Sequence, residues 1–253
     1  MGSKVFEVKE KVVCIIEARM ASVRLPGKVL EKIGEKNSLE HIVQRMQRVD
    51  VIDSICFATT LNEKDDKIEE LSKKLGVDCY RGSEEDVLKR VLESAKIFGA
   101  KVILEITGDC PFVDSHLVEQ FLQVFLQNDL DYLSNNILPS YADGFDIQIF
   151  TTEALELSSR YADSKAQREH VTMHIKQNPQ MFRVLNLIAP KEYRRPDLSV
   201  TLDTSEDLEV LRTLEEQLTE NELNSYEKIT LFLINNPNIG SINKQIVRKG
   251  YET

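Results

Sequence analysis

Strand-length apolar runs alternate with segments of helical periodicity through the first half of the chain, and this alternation constrains the fold more than any other feature. The predicted strands cover residues 12–16, 52–59, 77–80 and 101–107, and the predicted helices cover residues 39–49, 65–75, 84–98 and 115–127. Ser38 and Asp114 are the expected N-caps of the first and the fourth helix. Such alternation is typical of a parallel sheet built from βαβ units. The sequence therefore predicts an α/β fold with a mainly parallel central sheet.

After about residue 130 the alternation loosens, and turn residues surround the short apolar runs 132–133 and 145–150. We expect an excursion from the sheet at about 130–175. Further helices are predicted at 152–161, 167–177, 205–217 and 225–235, and further strands at 182–188 and 198–202. Because no repeat or linker interrupts the chain, a single domain over 1–253 is predicted.

The charge balance excludes several classes of partner. The chain has 32 basic and 42 acidic residues, a formal net charge of -10. Binding to nucleic acid or to an anionic membrane depends on clustered Lys and Arg, so neither partner is expected.

The first six residues carry no secretion or myristoylation signal, and the longest apolar runs are too short to cross a bilayer. Four cysteines without C-x-x-C spacing predict reduced, mostly buried thiols in a cytoplasmic protein.

The most informative segment is the stretch 18–28, Ala-Arg-Met-Ala-Ser-Val-Arg-Leu-Pro-Gly-Lys, directly after the first strand. Ligands of open α/β sheets bind outside the carboxyl ends of the strands. Arg19, Arg24 and Lys28 complement phosphate oxygens, so a polyphosphate site is predicted; a solvated basic turn is the alternative. The segment is not a Walker A loop, because Ser22 replaces the first glycine and Val29 replaces the magnesium-binding hydroxyl residue. A Rossmann G-x-G-x-x-G is absent as well, so kinase and dehydrogenase functions lose their main support.

Two aspartates follow predicted strands and are candidate metal ligands. Asp109 lies in Thr-Gly-Asp-Cys-Pro after the fourth strand, and Asp203 ends the predicted strand 198–202. Two carboxylates together with substrate phosphates are a common way to hold Mg²⁺. Asp203 also suits a turn or a helix start, so that interpretation stays open.

These motifs carry a family resemblance. In order over about residues 12–215, the segments ARMASVRLPGKVL, FATT, YRGSEEDVLKR, ITGDCP, DGFDIQIF, REHVT and TLDTSEDLEVL resemble the cytidylyltransferase family. That family includes CMP-3-deoxymanno-octulosonate synthetases, and the resemblance is closest to the branch named for the spore coat polysaccharide biosynthesis protein F. It implies the three-layer nucleotide-diphospho-sugar transferase fold, which is GT-A or Rossmann-like.

The resemblance also implies roles for individual residues. It places CTP phosphates near Ala18, Arg19, Ser22, Arg24 and Lys28, and the cytosine and ribose near Thr59, Arg81, Asp86 and Arg90. It makes Asp109 and Asp203 magnesium ligands, and Arg19, Lys28 and Asp109 the catalytic residues. Asp86 and Arg90 also suit a capped, salt-bridged helix start. Ala21 stands where the family usually has glycine, and Glu17 where it often has glutamine.

On the acceptor side, the candidates are Asp143, Asp146, Arg168, Glu169 and His170. The resemblance places the REHVT segment near the second substrate, where Arg168 would suit a carboxylate or phosphate. His170 and His174 have a zinc-like spacing, but no H-E-x-x-H surrounds them, so a metalloprotease is not expected. Cys110 stands where the octulosonate synthetases usually carry Glu, which weakens an assignment of octulosonate as the acceptor.

The sequence thus predicts a magnesium-dependent, homodimeric enzyme that transfers CMP from CTP to an acidic sugar-type acceptor and releases pyrophosphate, in the synthesis of a surface polysaccharide or glycan precursor. The segment 130–175 is expected to form the dimer interface or the acceptor region. One alternative is a GT-A glycosyltransferase, although the only D-x-D sequence, Asp129-Leu130-Asp131, follows a helix and precedes a strand. The other is a non-catalytic nucleotide-binding protein of the same fold.

Overall fold

The part of the chain that the structure describes contains nine strands, seven of which form one central sheet. The structure is a computed structural model that describes residues 10–246, so the first six residues and both ends of the predicted domain lie outside it. The strands are β1 Val12–Glu17, β2 Lys32–Ile33, β3 Lys36–Asn37, β4 Ser54–Thr60, β5 Asp78–Gly82, β6 Val102–Thr107, β7 Tyr132–Ser134, β8 Gln148–Thr151 and β9 Val184–Asn186. The central sheet has the order β5-β4-β1-β6-β8-β7-β9, and β2 and β3 form a separate hairpin.

The sheet is mainly parallel, as predicted. Strand β1 lies between β4 and β6 and is parallel to both, β4 pairs with β5 in parallel, and β7 pairs with β9 in parallel. Only β8 is antiparallel to its neighbours, β6 and β7. Side chains of β1 alternate between two cores, with Cys14 in one and Ile15 in the other. Strand β1 is therefore buried on both faces, which explains its continuous apolar sequence.

Helices cover both faces of the sheet. They are α1 Ser38–Met46, α2 Asp66–Leu75, α3 Val87–Ile97, α4 Ser115–Leu126, α5 Thr152–Tyr161, α6 Lys165–Glu169, α7 Met173–Gln177, α8 Ser205–Gln217, α9 Glu220–Leu223, α10 Tyr226–Asn235 and α11 Pro237–Gly240. Apolar residues of α1, α2, α4, α8 and α10 fill one core, and those of α3, α5 and α7 fill the other. The predicted three-layer α/β architecture is confirmed. Between residues 10 and 246, no helix has the length and apolar character needed to cross a membrane.

One predicted helix cap is displaced by one residue. Asn37, not Ser38, caps α1, in a reciprocal pair of hydrogen bonds with Glu40. The hydroxyl of Ser38 instead donates to the carbonyl oxygen of Gly108 at 2.6 Å. The start of α1 is thereby tied to the turn that follows β6. The predicted cap of α4 by Asp114 is confirmed.

The second half departs from the predictions in three places. The predicted strand 198–202 is not a strand, and a single bridge between Asp143 and Ser199 is its only ladder contact. The predicted helix 167–177 is two helices, α6 and α7, because His170 already has extended backbone angles at the end of α6. The segment 130–175 does not leave the sheet altogether, since it contributes β7 and β8 to it.

Candidate active site

Residues 18–28, which we call the basic loop, leave the carboxyl end of β1 and are anchored by one buried carboxylate. The Asp65 side chain accepts hydrogen bonds from the backbone N–H of Met20 at 2.7 Å and from the backbone N–H of Thr60 at 3.2 Å. It also accepts a short hydrogen bond from the Thr60 hydroxyl. Asp65 is only 1% exposed. The sequence indicated Asp65 only as the start of a helix, so this positioning role was missed.

The basic loop contacts both predicted metal ligands. The Lys28 ammonium lies 2.5 Å from an oxygen of Asp109 and 2.7 Å from an oxygen of Asp203. The guanidinium of Arg24 lies 2.8 Å from the other oxygen of Asp203. Two carboxylates and two cations, far apart in the sequence, therefore form one cluster. We call Asp109 and Asp203 the acidic pair.

The cluster favours the charged forms of Lys28 and Asp109. Burial disfavours the charged form of Lys28, but the carboxylates of Asp109 and Asp203 outweigh this and raise the pKa of Lys28 above its ordinary value. Burial likewise opposes ionisation of Asp109, and Lys28 reverses the effect, so the pKa of Asp109 lies below its ordinary value. An ammonium and a carboxylate therefore face each other at neutral pH.

Backbone hydrogen bonds fix the spacing of the acidic pair. The carbonyl oxygen of Asp109 accepts from the N–H of Leu202 at 2.8 Å and from the hydroxyl of Thr201 at 3.2 Å. Gly108, directly before Asp109, lies close against the end of β1, where a Cβ would lie 2.7 Å from the carbonyl oxygen of Glu17. Asp203 is thus positioned by an irregular segment tied to Asp109, and not by the end of a strand as predicted.

The chemistry of this donor set fits a divalent cation. Two carboxylates already converge on one cationic group, and hard carboxylate oxygens are the ligands that Mg²⁺ prefers. Among residues 10–246, no group of three or more His, Cys, Asp or Glu side chains could hold a metal. Asp109 and Asp203 would therefore hold such an ion only together with oxygens of a ligand.

The residues predicted to surround the base and ribose divide into two groups. Thr59 and Arg90 are at most 2% exposed, and the Thr59 hydroxyl and the Arg90 Nε have no hydrogen-bond partner. Burial lowers the pKa of Arg90, against the effect of nearby Glu17. Arg81, in contrast, directs its guanidinium to Asp66 at 2.6 Å and to other groups at the start of α2. Its role toward a nucleotide stays a prediction.

Asp86 caps the start of α3, which is the structural role that its sequence position also suits. The Asp86 side chain accepts from the backbone N–H of Lys89 at 2.9 Å and caps α3. Arg19 lies 3.8 Å from Glu84, which precedes α3. Ser22 makes a turn in which its N–H donates to the carbonyl oxygen of Met20, and Ala18 is buried. Arg19 is thus the cation of the loop that points toward the α3 side.

A cavity of about 750 Å³ opens beside the acidic pair, and we call it the side cavity. Both Asp109 and Asp203 line it, together with four of the predicted acceptor residues: Asp143, Asp146, Glu169 and His170. Gly144 makes the Asp143–Asp146 turn possible, since its φ is +103° and a Cβ there would lie 2.7 Å from the backbone of Val200. The turn is thereby held against the segment that carries Asp203.

Carboxyl groups of the side cavity hydrogen-bond to one another. Burial, and then a hydrogen bond to Glu17, raise the pKa of Glu105 well above its ordinary value. Burial, and then the neighbouring Asp143, raise the pKa of Asp146 to about 7. Lys176 faces Glu105 and Asp146, and its burial lowers the pKa of its ammonium. Glu105 and Lys176 were missed by the sequence analysis, because each lies within an otherwise ordinary strand or helix.

Arg168 does not line the side cavity. Its guanidinium donates to carbonyl oxygens of Ser159 and Ala162, both at 2.8 Å, and lies 3.6 Å from Asp86. His174 is also elsewhere, stacked on Tyr161. The histidine pair 170/174 therefore does not form one site, and a contact of Arg168 with an acceptor stays a prediction.

The D-x-D sequence lies at the opposite end of the sheet. Asp129 and Asp131 pair with Arg183 and line a second cavity, of about 590 Å³, together with Glu10. Glu10 precedes β1, whereas the basic loop follows it. The motif is therefore not part of the candidate site, and the glycosyltransferase alternative loses the motif considered for it.

Comparisons with known proteins match most of the chain to one family. A family model described as cytidylyltransferase matches residues 13–231. An uncharacterised protein of Methanocaldococcus jannaschii is 37% identical over 242 residues, covering 95% of this chain and 98% of the relative. The spore coat polysaccharide biosynthesis protein SpsF of Bacillus subtilis is 34% identical over 224 residues, covering 86% of this chain and 92% of the relative. A solved cytidylyltransferase from Leptospira borgpetersenii is similar with a TM-score of 0.86 at 32% identity, covering 94% of this chain and all of that one (100%).

The matched region contains the basic loop, the acidic pair and most of the central sheet. The similarity to a solved cytidylyltransferase also confirms the predicted nucleotidyltransferase fold. On these findings, the chain belongs to the cytidylyltransferase family and is an enzyme of the nucleotidyltransferase class.

Proposed function

We propose that this enzyme transfers CMP from CTP to an acidic, sugar-type acceptor and releases pyrophosphate, with Mg²⁺ as its metal ion. The observation that carries the proposal is the contact of Lys28 with both Asp109 and Asp203 beneath a loop that holds two further cations. Carboxylates suited to a divalent cation and cations suited to a triphosphate lie at one strand edge, beside a cavity large enough for a sugar.

The transfer needs no covalent intermediate with the protein. An acceptor oxygen in the side cavity attacks the α-phosphorus in line with the departing pyrophosphate, so catalysis rests on positioning and charge neutralisation. Lys28, Arg24 and Arg19 stabilise the negative charge that develops on the leaving group. Asp109 and Asp203 would hold the Mg²⁺ ion, which would supply Lewis-acid polarisation of the phosphate.

The buried groups beside Arg19 support a nucleoside subsite. The unpartnered Thr59 hydroxyl and Arg90 Nε offer hydrogen bonds to the cytosine and the ribose. An unpartnered buried polar atom is costly unless a ligand satisfies it. We therefore place the nucleoside between β4 and the start of α3, with Asp86 positioning that helix.

The acceptor binds in the side cavity in this proposal. Asp143, Asp146, Glu169 and His170 supply hydrogen bonds to sugar hydroxyls, and Lys176 supplies a positive charge for an acidic group. Both a 2-keto-3-deoxy sugar acid and a sugar or polyol phosphate match this lining. The relative from Bacillus subtilis is named for polysaccharide biosynthesis, which supports a role in making a surface polysaccharide or glycan precursor.

We also infer a cytoplasmic homodimer. Leu138 is 66% exposed and Ile188 is 52% exposed, and both segments meet at Asn186, whose side chain accepts from the N–H of Leu138 at 3.2 Å. Exposed apolar groups of this kind support burial against a second copy. Sedimentation equilibrium of the wild type and of a Leu138→Asp, Ile188→Asp variant measures the dimer.

The cysteines support the cytoplasmic location. Cys14, Cys56 and Cys110 are free and buried, which suits a reducing compartment.

A pyrophosphate-release screen tests the proposed reaction. We expect release from CTP, but not from ATP, GTP or UTP, when Mg²⁺ and a matching acceptor from a panel of sugar acids and sugar phosphates are present. EDTA should abolish it. Release with another nucleotide in preference to CTP would contradict the base assignment. A folded enzyme that binds CTP and releases no pyrophosphate with any acceptor would support the non-catalytic alternative.

A further inference from the structure

Two of the three loop cations assigned to the triphosphate contact the carboxylates assigned to the metal. Lys28 contacts both members of the acidic pair, and Arg24 contacts Asp203. Two negative charges thus face two positive charges within the protein itself. Lys28 and Arg24 neutralise the carboxylates as a metal ion would. Asp109 and Asp203 in turn neutralise these cations as phosphates would.

We propose that Lys28 and Arg24 are internal counter-cations of Asp109 and Asp203, so that the site takes a divalent cation and a triphosphate as one complex and binds each poorly alone. This inference rests on the proposed function, because it names the form in which that nucleotide is bound.

Partial burial makes the contacts strong enough to matter. The side chains of Lys28, Asp203 and Asp109 are 13%, 18% and 23% exposed. Charges in such an environment are screened far less than those of a surface ion pair. Removing one partner of a buried pair and leaving the other uncompensated is strongly unfavourable. Binding of the metal ion alone, or of the triphosphate alone, would leave one partner of the pair uncompensated in this way.

A metal ion alone must displace the Lys28 ammonium, which then has no anion to contact at its side of the loop. A triphosphate alone must attract Lys28 and Arg24, which leaves Asp109 and Asp203 unpaired next to a polyanion. When both ligands arrive together, the carboxylates exchange one cation for another, and the cations exchange one anion for another. No charge is left unpaired, so the two ligands favour each other's binding.

The local structure permits this exchange by side-chain rotation. The backbone of Lys28 is fixed at the start of a short 3-10 helix, where its N–H donates to the carbonyl oxygen of Leu25 at 3.1 Å. Its four-carbon side chain is flexible and carries a compact charge. Gly27, at φ +75°, makes the turn that places Lys28 there. The loop therefore needs no rearrangement of its backbone.

The test measures Mn²⁺ binding to the full chain by water proton relaxation, first with no nucleotide. We expect weak binding to the wild type and binding at least about tenfold tighter to Lys28→Gln, because the competing charge is gone. Arg24→Gln should give a smaller gain, and it keeps the test available if Lys28→Gln does not fold. Lys101→Gln is the matched control, since Lys101 is an exposed lysine that pairs with Glu153 at 3.2 Å, away from the acidic pair; its Mn²⁺ affinity should equal that of the wild type.

A second measurement uses a CTP analogue with a methylene bridge between the α and β phosphorus atoms. In EDTA the wild type should bind it weakly, and with Mn²⁺ present both ligands should bind the wild type at least about tenfold more tightly, which is a typical size for coupling between sites. Lys28→Gln should show less of this coupling. The inference is overturned if Lys28→Gln binds Mn²⁺ alone no more tightly than the wild type, or if the wild type shows no coupling.

Failure of this inference is distinguishable from failure of the proposed function. Pyrophosphate release by the wild type, with no gain of Mn²⁺ affinity in Lys28→Gln, would contradict the counter-cation assignment and leave the reaction in place. A gain of Mn²⁺ affinity in Lys28→Gln, with no release from CTP by the wild type, would support the assignment and contradict the reaction. Absence of Mn²⁺ binding in every variant would contradict the assignment.

Discussion

The two halves of the candidate site accommodate buried carboxyl groups in different ways. On the nucleotide side, Asp109 and Asp203 contact cations, and the pKa of Asp109 is lowered. In the side cavity, Glu105 hydrogen-bonds to Glu17 and Asp146 hydrogen-bonds to Asp143, and the pKa values of Glu105 and Asp146 are raised. The environment of Asp109 favours its charged form, whereas the environments of Glu105 and Asp146 favour their protonated, neutral forms.

This difference matches two kinds of recognition. A charged pair that is held by exchangeable cations suits the binding of a metal–nucleotide complex. Carboxyl groups that share protons present both a donor and an acceptor, which suits the hydroxyl groups of a sugar. Four substitutions test this difference between the two halves of the site.

The largest effect is expected for the nucleotide side. Asp109→Asn removes a negative charge from the acidic pair, so pyrophosphate release should fall by about a thousandfold or more while the circular dichroism spectrum stays unchanged. Asp131→Asn is the control, because Asp131 pairs with Arg183 in the cavity at the far end of the sheet. An Asp109→Asn enzyme with wild-type release would show that Asp109 does not hold the metal.

The next effect concerns the turn that holds Asp143 and Asp146. Gly144→Ala should lower the free energy of unfolding by about 3 kcal/mol, because it combines a positive φ with a backbone clash. Gly99→Ala, at φ +68° with nothing near its Cβ position, should cost only about 1 kcal/mol. Urea denaturation measures both. Equal losses would mean that the contact with Val200 does not constrain the turn.

A smaller effect is expected for the anchor of the basic loop. Asp65→Ala leaves the N–H of Met20 and two groups of Thr60 without their acceptor, so it should cost about 2 kcal/mol of unfolding free energy. The KM for CTP should also rise, because the loop loses its fixed position. The neighbouring Asp66→Ala removes only an exposed contact with Arg81 and should change stability by less than about 0.5 kcal/mol. Equal KM values for the two variants would contradict the anchoring role.

The smallest effect tests the carboxyl pairs of the side cavity. The pKa of Asp146 is about 7 in the folded chain, above the ordinary value of 3.8. The folded state therefore binds the proton more tightly, and Asp146 should lower stability progressively as the pH rises from about 4 to about 7. Asp146→Asn removes this loss, so in EDTA its melting temperature should exceed that of the wild type by a few degrees at pH 8 and by little at pH 4. A difference that does not vary with pH would contradict the shared proton.

The same comparison explains what could be predicted from the sequence. The nucleotide side is carried by short contiguous motifs, so Arg24, Lys28 and Asp109 could be identified from their local patterns. The central strands could be identified because burial on both faces requires continuous apolar runs. The side cavity joins residues such as Glu17 and Glu105, whose contact depends on the register of β1 and β6. No local pattern contains that information.

The incorrect predictions have a similar cause. Leu198, Val200 and Leu202 alternate with more polar residues as in a strand, and all three are buried. Their side chains pack into the core beside α8 and α10, while the backbone hydrogen-bonds to Asp143 and Asp109. Periodicity reports which side chains are buried, and it does not report which backbone groups pair. For this reason the pattern predicts a strand at 198–202, where the backbone forms an irregular segment.

The hydrogen bonds from Leu202 and Thr201 to the Asp109 carbonyl oxygen have a consequence for the motion of the molecule. They make the segment before Asp203 as constrained as a strand, although it lies outside the sheet. Its amide protons should exchange with solvent at the slow rates of the core and not at the rates of loops. The main chains beneath the two carboxylates proposed to hold the metal thus form a rigid base, and the proposed catalytic cycle would be carried out by side chains above it.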